Sequence, residues 1–186
     1  STARPLIPSQ QDDDEPVARS PLDHVDERRF TRGLLIHKLL EWLPDVPNSE
    51  KASAAKRFLA KSAYGLKERE QGLLLEEVMA IVSDNTFAPI FGEGSRAEVS
   101  LSGLVGDELI VGQVDRIVVT DEKVLIVDYK TNRPVPSELS GVPMAYIKQM
   151  RAYARALREI YPDHDLQTAI LWTDEAKLMP LPTDLV

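Results

Sequence analysis

The stretch from Gly112 to Arg133, GQVDRIVVTDEKVLIVDYKTNR, constrains the fold more than any other part of the chain. It predicts two strands joined by a tight turn. The first, Leu109–Thr120, alternates and is rich in Val and Ile, and the second, Val124–Lys130, is an apolar run that ends in Asp128-Tyr129-Lys130. Runs of this composition bounded by polar turn residues mark a hairpin. A loop at Asp121-Glu122, or one spanning Thr120–Lys123, pairs Thr120 with Lys123 and brings Asp115 opposite Asp128. Lys130 then shares the Asp128 face, because side chains alternate along a strand. Facing carboxylates destabilise a sheet by roughly 0.2–1 kcal/mol, and burial raises that cost. The pair makes sense if a cation sits between them. Two alternatives stay open: a three-residue loop, which shifts the register, and Asp residues that only mark strand ends.

The rest of the chain frames this hairpin. Its 186 residues predict one domain with a tail, and a hydrophobic content of 43 % supports a real core. Cysteine is absent, which excludes disulfides, thiolate metal sites and iron–sulfur ligation. No apolar run is long enough to span a bilayer, and no secretory signal is present, so no membrane partner is expected; the lack of cysteine leaves the redox compartment open, and a cytoplasmic setting is the expectation. The net charge of −8 argues against broad nucleic-acid affinity but leaves room for a local basic groove. The start at Ser1-Thr2 without Met suggests a piece of a longer protein. Residues 1–25 read as a flexible linker, interrupted by Pro5, Pro8, Pro16 and Pro21 and self-repelling at Asp12–Glu15. Residues 26–186 form the domain.

Glu27–Leu43 predicts a helix stopped by Pro44, with Phe30, Leu34, Ile36, Leu39, Leu40 and Leu43 as its apolar stripe. Gly33 costs about 1 kcal/mol in a helix interior and implies close approach of a backbone or a ligand. His37 lies one turn further on; it is either a metal ligand or a satisfied core or surface histidine. Ser49–Ala63, with Asn48 or Ser49 as its cap, and Lys67–Ser83 predict two scaffold helices, and Phe87–Gly92 predicts a loop with buried anchors. Ser95–Leu101 alternates as a half-buried strand, after which Gly103 and Gly106 mark a turn. Glu98 on that strand reads as an ordinary wet-face glutamate, though it could aim at the Asp115 site. After a loop over Pro134–Pro143, a long helix runs to Tyr161 and places Gln149 and Tyr153 on one face. Lys148, Arg151, Arg155 and Arg158 form a basic stripe beside them, either a solvated face or a track for a DNA backbone. Leu166–Trp172 and Leu178–Leu181 close the sheet. The fold class is α/β, a central mixed β-sheet flanked by helices. No G-x-x-x-x-G-K-[ST] loop is present, so this chain does not bind ATP in that way.

Four short motifs occur in order: Gly33–His37 as G-x-x-x-H, Gly112–Arg116 as G-x-x-D-R, Asp128–Thr131 as D-Y-K-T, and Gln149–Tyr153 as Q-x-x-x-Y. Together they resemble the RecB-type nuclease domain of the PD-(D/E)xK superfamily, a restriction-endonuclease-like fold, from about Arg28 to Leu181. Within it the wording DRIVVTDEKVLIVDYKTNRP and ILWT is most similar to the C-terminal nuclease domain of AddA-type helicase–nuclease subunits. The resemblance implies an exonuclease of double-strand-break repair that hydrolyses DNA phosphodiester bonds with Mg²⁺ or Mn²⁺. His37, Asp115, Asp128 and the Tyr129 carbonyl would hold the ion. Lys130 would orient the attacking water or stabilise charge on phosphate, with Gln149 and Tyr153 positioning Lys130 or the substrate strand. It further implies single strands delivered by a helicase, a second subunit of AddB type, and ATP used only in a helicase part of a longer protein. Lys148, Arg151 and Arg155 are the DNA-backbone candidates. The alternative is a catalytically silent nuclease fold that binds DNA or a partner subunit; intact Asp115, Asp128 and Lys130 argue against it.

Overall fold

The computed structural model describes residues 24–186, with side chains from Glu27 onward. The expected linker therefore lies almost wholly outside the described residues. The chain forms helices α1 (His24–Trp42), α2 (Lys51–Leu59), α3 (Glu68–Val82) and α4 (Ala88–Phe91), then strands β1 (Ser95–Val105), β2 (Glu108–Val119) and β3 (Lys123–Lys130). It ends with helix α5 (Met144–Ile160) and strands β4 (Asp165–Trp172) and β5 (Lys177–Leu181). The strands make one sheet in the order β1-β2-β3-β4-β5. Only β3 and β4 are parallel, joined by the α5 crossover; the other neighbours are antiparallel. This is the expected mixed sheet between helices. No described helix is long and apolar enough to cross a membrane.

Two cores flank the sheet. Along β3, Val124 and Ile126 pack with α5 residues such as Met150, Tyr153 and Leu157. The intervening Val127 and Tyr129 pack with α1 and α3 residues such as Leu39, Leu40 and Ile81. The buried α1 leucines contribute about 1.5–3 kcal/mol each by leaving water. The apolar stripe of α1 differs from expectation at its N-terminal end. Leu35, Ile36, Leu39, Leu40 and Leu43 are buried, but Phe30 is 74 % and Leu34 57 % exposed. Periodicity marks a broad stripe, and the sheet covers only the part that reaches it.

Other local differences have plain causes. β1 runs straight through Gly103, which pairs with Ile110, and the turn falls at Gly106, whose φ is 63°. The predicted loop at Phe87–Gly92 is instead the end of a 3-10 turn followed by α4, whose Pro89 suits a first helical turn. The helix expected to Ala63 stops at Leu59, with a 3-10 turn at Ser62–Tyr64 ending on Gly65. Neither Asn48 nor Ser49 caps it; Asn48 instead accepts a hydrogen bond from the Lys51 ammonium at 2.7 Å.

Candidate active site at the β2–β3 divide

The hairpin has the expected register. Thr120 N–H donates to the Lys123 carbonyl at 2.9 Å. The ladder then runs from Val119↔Val124 to Arg116↔Val127. One residue further on, Asp115 meets Asp128, and there the ladder ends. β3 carries on beside β4 as far as Lys130↔Trp172, while β2 carries on beside β1. The Tyr129 N–H, released from the ladder, donates to Asp115 Oδ2 at 2.7 Å. A carboxylate thus takes the place of a strand carbonyl, and the site lies where the two strands part.

Asp128 and Lys130 continue the Val124–Ile126 face of β3 toward α5. Both are buried, and Lys130 Nζ lies 3.0 Å from Asp128 Oδ2. The same ammonium donates to Gln149 Oε1 at 3.2 Å and sits 4.1 Å from the centre of the Tyr146 ring. Gln149 Nε2 lies 3.5 Å from Tyr153 Oη, which donates to the Gln113 carbonyl at 2.9 Å. Gln149 and Tyr153 therefore reach Lys130 as a chain of contacts anchored on β2. Burial, then the charges of Asp128 and Asp115, push the Tyr153 phenol well up, so it stays neutral. Gly112 explains itself here: a Cβ would stand 2.7 Å from a Tyr153 ring carbon.

His37 comes from α1. Its Nδ1 lies 2.9 Å from the Gly33 carbonyl and its Nε2 3.5 Å from Asp115 Oδ2. Burial works to lower its pKa, but the hydrogen bond and charge of Asp115, the Gly33 carbonyl and the charge of Asp128 outweigh it and raise the imidazole to about 9. Asp115 mirrors this. Burial would raise it, yet His37, the Tyr129 N–H and a hydrogen bond with Asp128 hold it below the usual carboxylate range. The close approach expected at Gly33 is a side chain, since a Cβ there would lie 3.2 Å from Thr131 Oγ1.

Glu98 belongs to this neighbourhood, against the wet-face reading. It is half-buried, and the β1–β2 register sets it opposite Asp115, although its φ of 52° takes it out of regular pairing. Burial, then the charges of Asp115 and Glu41, raise its carboxyl. Its alternation with Ala97 and Val99 pointed to the wet face, and the positive φ that turns it away had no glycine to announce it.

Arg116, which closes the G-x-x-D-R motif, and Glu77, which lies in none of the four motifs, both hold the site in place. Buried Arg116 donates to Tyr129 Oη at 2.9 Å, Ser95 Oγ at 3.0 Å and the Leu40 carbonyl at 2.9 Å, fastening α1 to β2 and β3. Buried Glu77 accepts from Arg32 at 2.6 Å, Arg133 at 3.3 Å and Thr173 Oγ1 at 2.8 Å. Arg32 also donates to the Thr131 carbonyl at 2.7 Å, and the Thr173 N–H donates to the Lys130 carbonyl at 3.0 Å. The end of β3 is therefore held through its backbone by groups gathered on α3. Such pairings span up to 99 positions and leave no local pattern.

The basic stripe of α5 is exposed, but its arginines have partners within the chain. Arg151 donates to the Leu185 carbonyl at 2.6 Å, Arg155 to Glu108 at 2.9 Å and Arg158 to the Val186 carbonyl at 3.3 Å. Lys148 is exposed beside them.

An Nδ1–H directed at the Gly33 carbonyl leaves Nε2 as the face His37 turns to Asp115. That is how a metal-ligating histidine is oriented. With two carboxylates, the donor set suits Mg²⁺ or Mn²⁺. Among the described residues, no three His, Asp or Glu side chains stand close enough to enclose an ion; Asp128 is paired with Lys130.

A family model described as the PD-(D/E)XK nuclease superfamily matches residues 16–179, and the chain belongs to that superfamily. Its members are typically nucleases that use Mg²⁺ or Mn²⁺. A solved structure titled "Crystal structure of SSO0001" is similar at 14 % identity, with 83 % of this chain and 77 % of that chain covered and a TM-score of 0.34. No curated protein matches.

Proposed function

We propose that this chain is a Mg²⁺- or Mn²⁺-dependent deoxyribonuclease, the exonuclease domain of an AddA-type helicase–nuclease in double-strand-break repair. In this reading residues 1–25 link it to a helicase part that uses ATP. Its partners are DNA single strands and an AddB-type subunit, and its setting is cytoplasmic. One observation carries the nuclease reading: where β2 and β3 part, His37 from α1 lies 3.5 Å from Asp115, Asp115 shares a hydrogen bond with Asp128, and Lys130 lies 3.0 Å from Asp128 and 3.2 Å from Gln149 of α5.

His37 Nε2, Asp115, Asp128 and the Tyr129 carbonyl would hold the ion. When bound, such an ion polarises a phosphate oxygen and makes its bound water more acidic. Lys130 supplies a fixed positive charge toward the phosphate, where charge grows in the transition state. Gln149 aims Lys130, and Tyr153 anchors Gln149 to the β2 backbone. Glu98 adds negative charge beside Asp115. Lys148, Arg151 and Arg155 contact the DNA backbone, the two arginines by exchanging their present partners for phosphates.

The test is incubation of the purified chain with an end-labelled linear single strand and Mg²⁺ or Mn²⁺, with an EDTA control. Shortened products are expected with metal alone. Lys130→Ala should slow single-turnover cleavage on the order of 10²–10³-fold while metal affinity holds. A wild-type chain that binds DNA and never cuts it would instead be the silent module.

A further inference from the structure

Tyr146 lies outside the four motifs, yet α5 sets it on the row that carries Gln149 and Tyr153, since positions three and four apart share a helix face. Its ring lies against the Lys130 ammonium, which stands 4.1 Å from the ring centre. Buried Trp172, the partner of Lys130 across β3 and β4, lies 6.2 Å from the same ring. Asn132 fixes the far end of the tyrosine. Its amide donates to Tyr146 Oη at 2.8 Å, and that hydroxyl donates back to Asn132 Oδ1 at 3.1 Å. Asn132 follows Lys130 by two residues, so the exit of β3 clasps the first turn of α5 beside the ammonium. A cation gains most from an aromatic face where water is excluded, and Lys130 is buried.

The ring matters because Asp128 has two calls on it. It pairs with Lys130 at 3.0 Å, and in the proposed function it also faces a divalent ion. Ions of that class take oxygen and imidazole donors, so a ring face is lost to none of them. We propose that the Tyr146 face is a second seat for the Lys130 ammonium, which keeps the charge in place when Asp128 turns to a metal, with Asn132 as the clasp that steadies the ring. Tyr146 is thus a positioning residue that acts through Lys130. The seat stands on the contacts themselves; its effect on cleavage rests on the nuclease reading above.

The first readout needs no cleavage. Protons over an aromatic face resonate upfield, so the Lys130 ε-methylene should be shifted upfield in wild type, both metal-free and in Mg²⁺. Tyr146→Leu should return it to the ordinary lysine position in both. The second readout is single-turnover cleavage of the end-labelled strand. Tyr146→Leu should lower the maximal rate about ten-fold and leave the half-saturating DNA concentration unchanged. Tyr146→Phe keeps the face and loses the clasp, as Asn132→Ala does, so both should slow cleavage equally and far less. In a Lys130→Ala background Tyr146→Leu should slow the rate no further, which a general packing defect would not allow. A wild-type methylene that leaves its upfield position in Mg²⁺, equal losses in Tyr146→Phe and Tyr146→Leu, or a loss that persists without Lys130 would each overturn the seat. Should Tyr146→Leu not fold, the wild-type methylene in Mg²⁺ still decides. An upfield methylene in a wild-type chain that never cuts keeps the seat and removes the nuclease; cleavage with an unshifted methylene does the reverse.

Discussion

At the residue scale, the pairing of His37 with Asp115 sets a pH dependence. The His37 pKa is raised from 6.5 to about 9, so in metal-free protein its contribution to stability is full below about 6.5 and is lost as pH rises through about 9. Asp115 is lowered from 3.8, so its contribution is present above that value and is lost as pH falls through its depressed value. We expect the melting temperature of metal-free protein to fall between pH 6.5 and 9. Asp115→Asn should flatten this fall and return His37 toward its ordinary pKa, read by NMR titration of the ring. An unchanged His37 titration in that variant would refute the pairing. Asp115 and Asp128 were legible as opposed carboxylates because a turn of known length counts register outward from itself. Glu98 was not, since a positive φ at a non-glycine residue leaves no mark in sequence.

At the element scale, α3 looks from sequence like scaffold, yet its Glu77 gathers Arg32, Arg133 and Thr173 behind the end of β3. Removing one partner of a buried ionic network typically costs 3–5 kcal/mol, because the remaining charges lose their counter-charge. Glu77→Ala should lower stability by about that much in denaturant unfolding. Amide exchange should quicken first at Thr173, whose N–H caps the Lys130 carbonyl. Uniform quickening across β3 would mean that the network supports the core in general and not this strand end. The helices and strands themselves were largely legible because their apolar periods are clear. Which part of the α1 stripe is covered was not, because that depends on how far the sheet reaches along the helix.

At the scale of the whole molecule, a ligand that binds only the folded state raises the melting temperature by mass action. We expect Mn²⁺ to do so in a concentration-dependent manner, EDTA to reverse it, and Asp128→Asn to blunt it. Because His37 must shed a proton to present Nε2, the rise should be larger at pH 8.5 than at pH 6. Equal shifts at both values would place the ion away from His37. The order in which the site comes together is written into the chain path. Asp128, Lys130, Gln149 and Tyr153 lie within the continuous run from β3 to α5 and can gather early. His37 arrives only when α1 docks, and the Arg116 guanidinium that grips the Leu40 carbonyl reaches across 76 positions to receive it. Under the proposed activity, an incompletely folded chain is an unarmed one. On that proposal Arg116 would work as a safety catch, and cutting would begin only after the far end of the domain has come home.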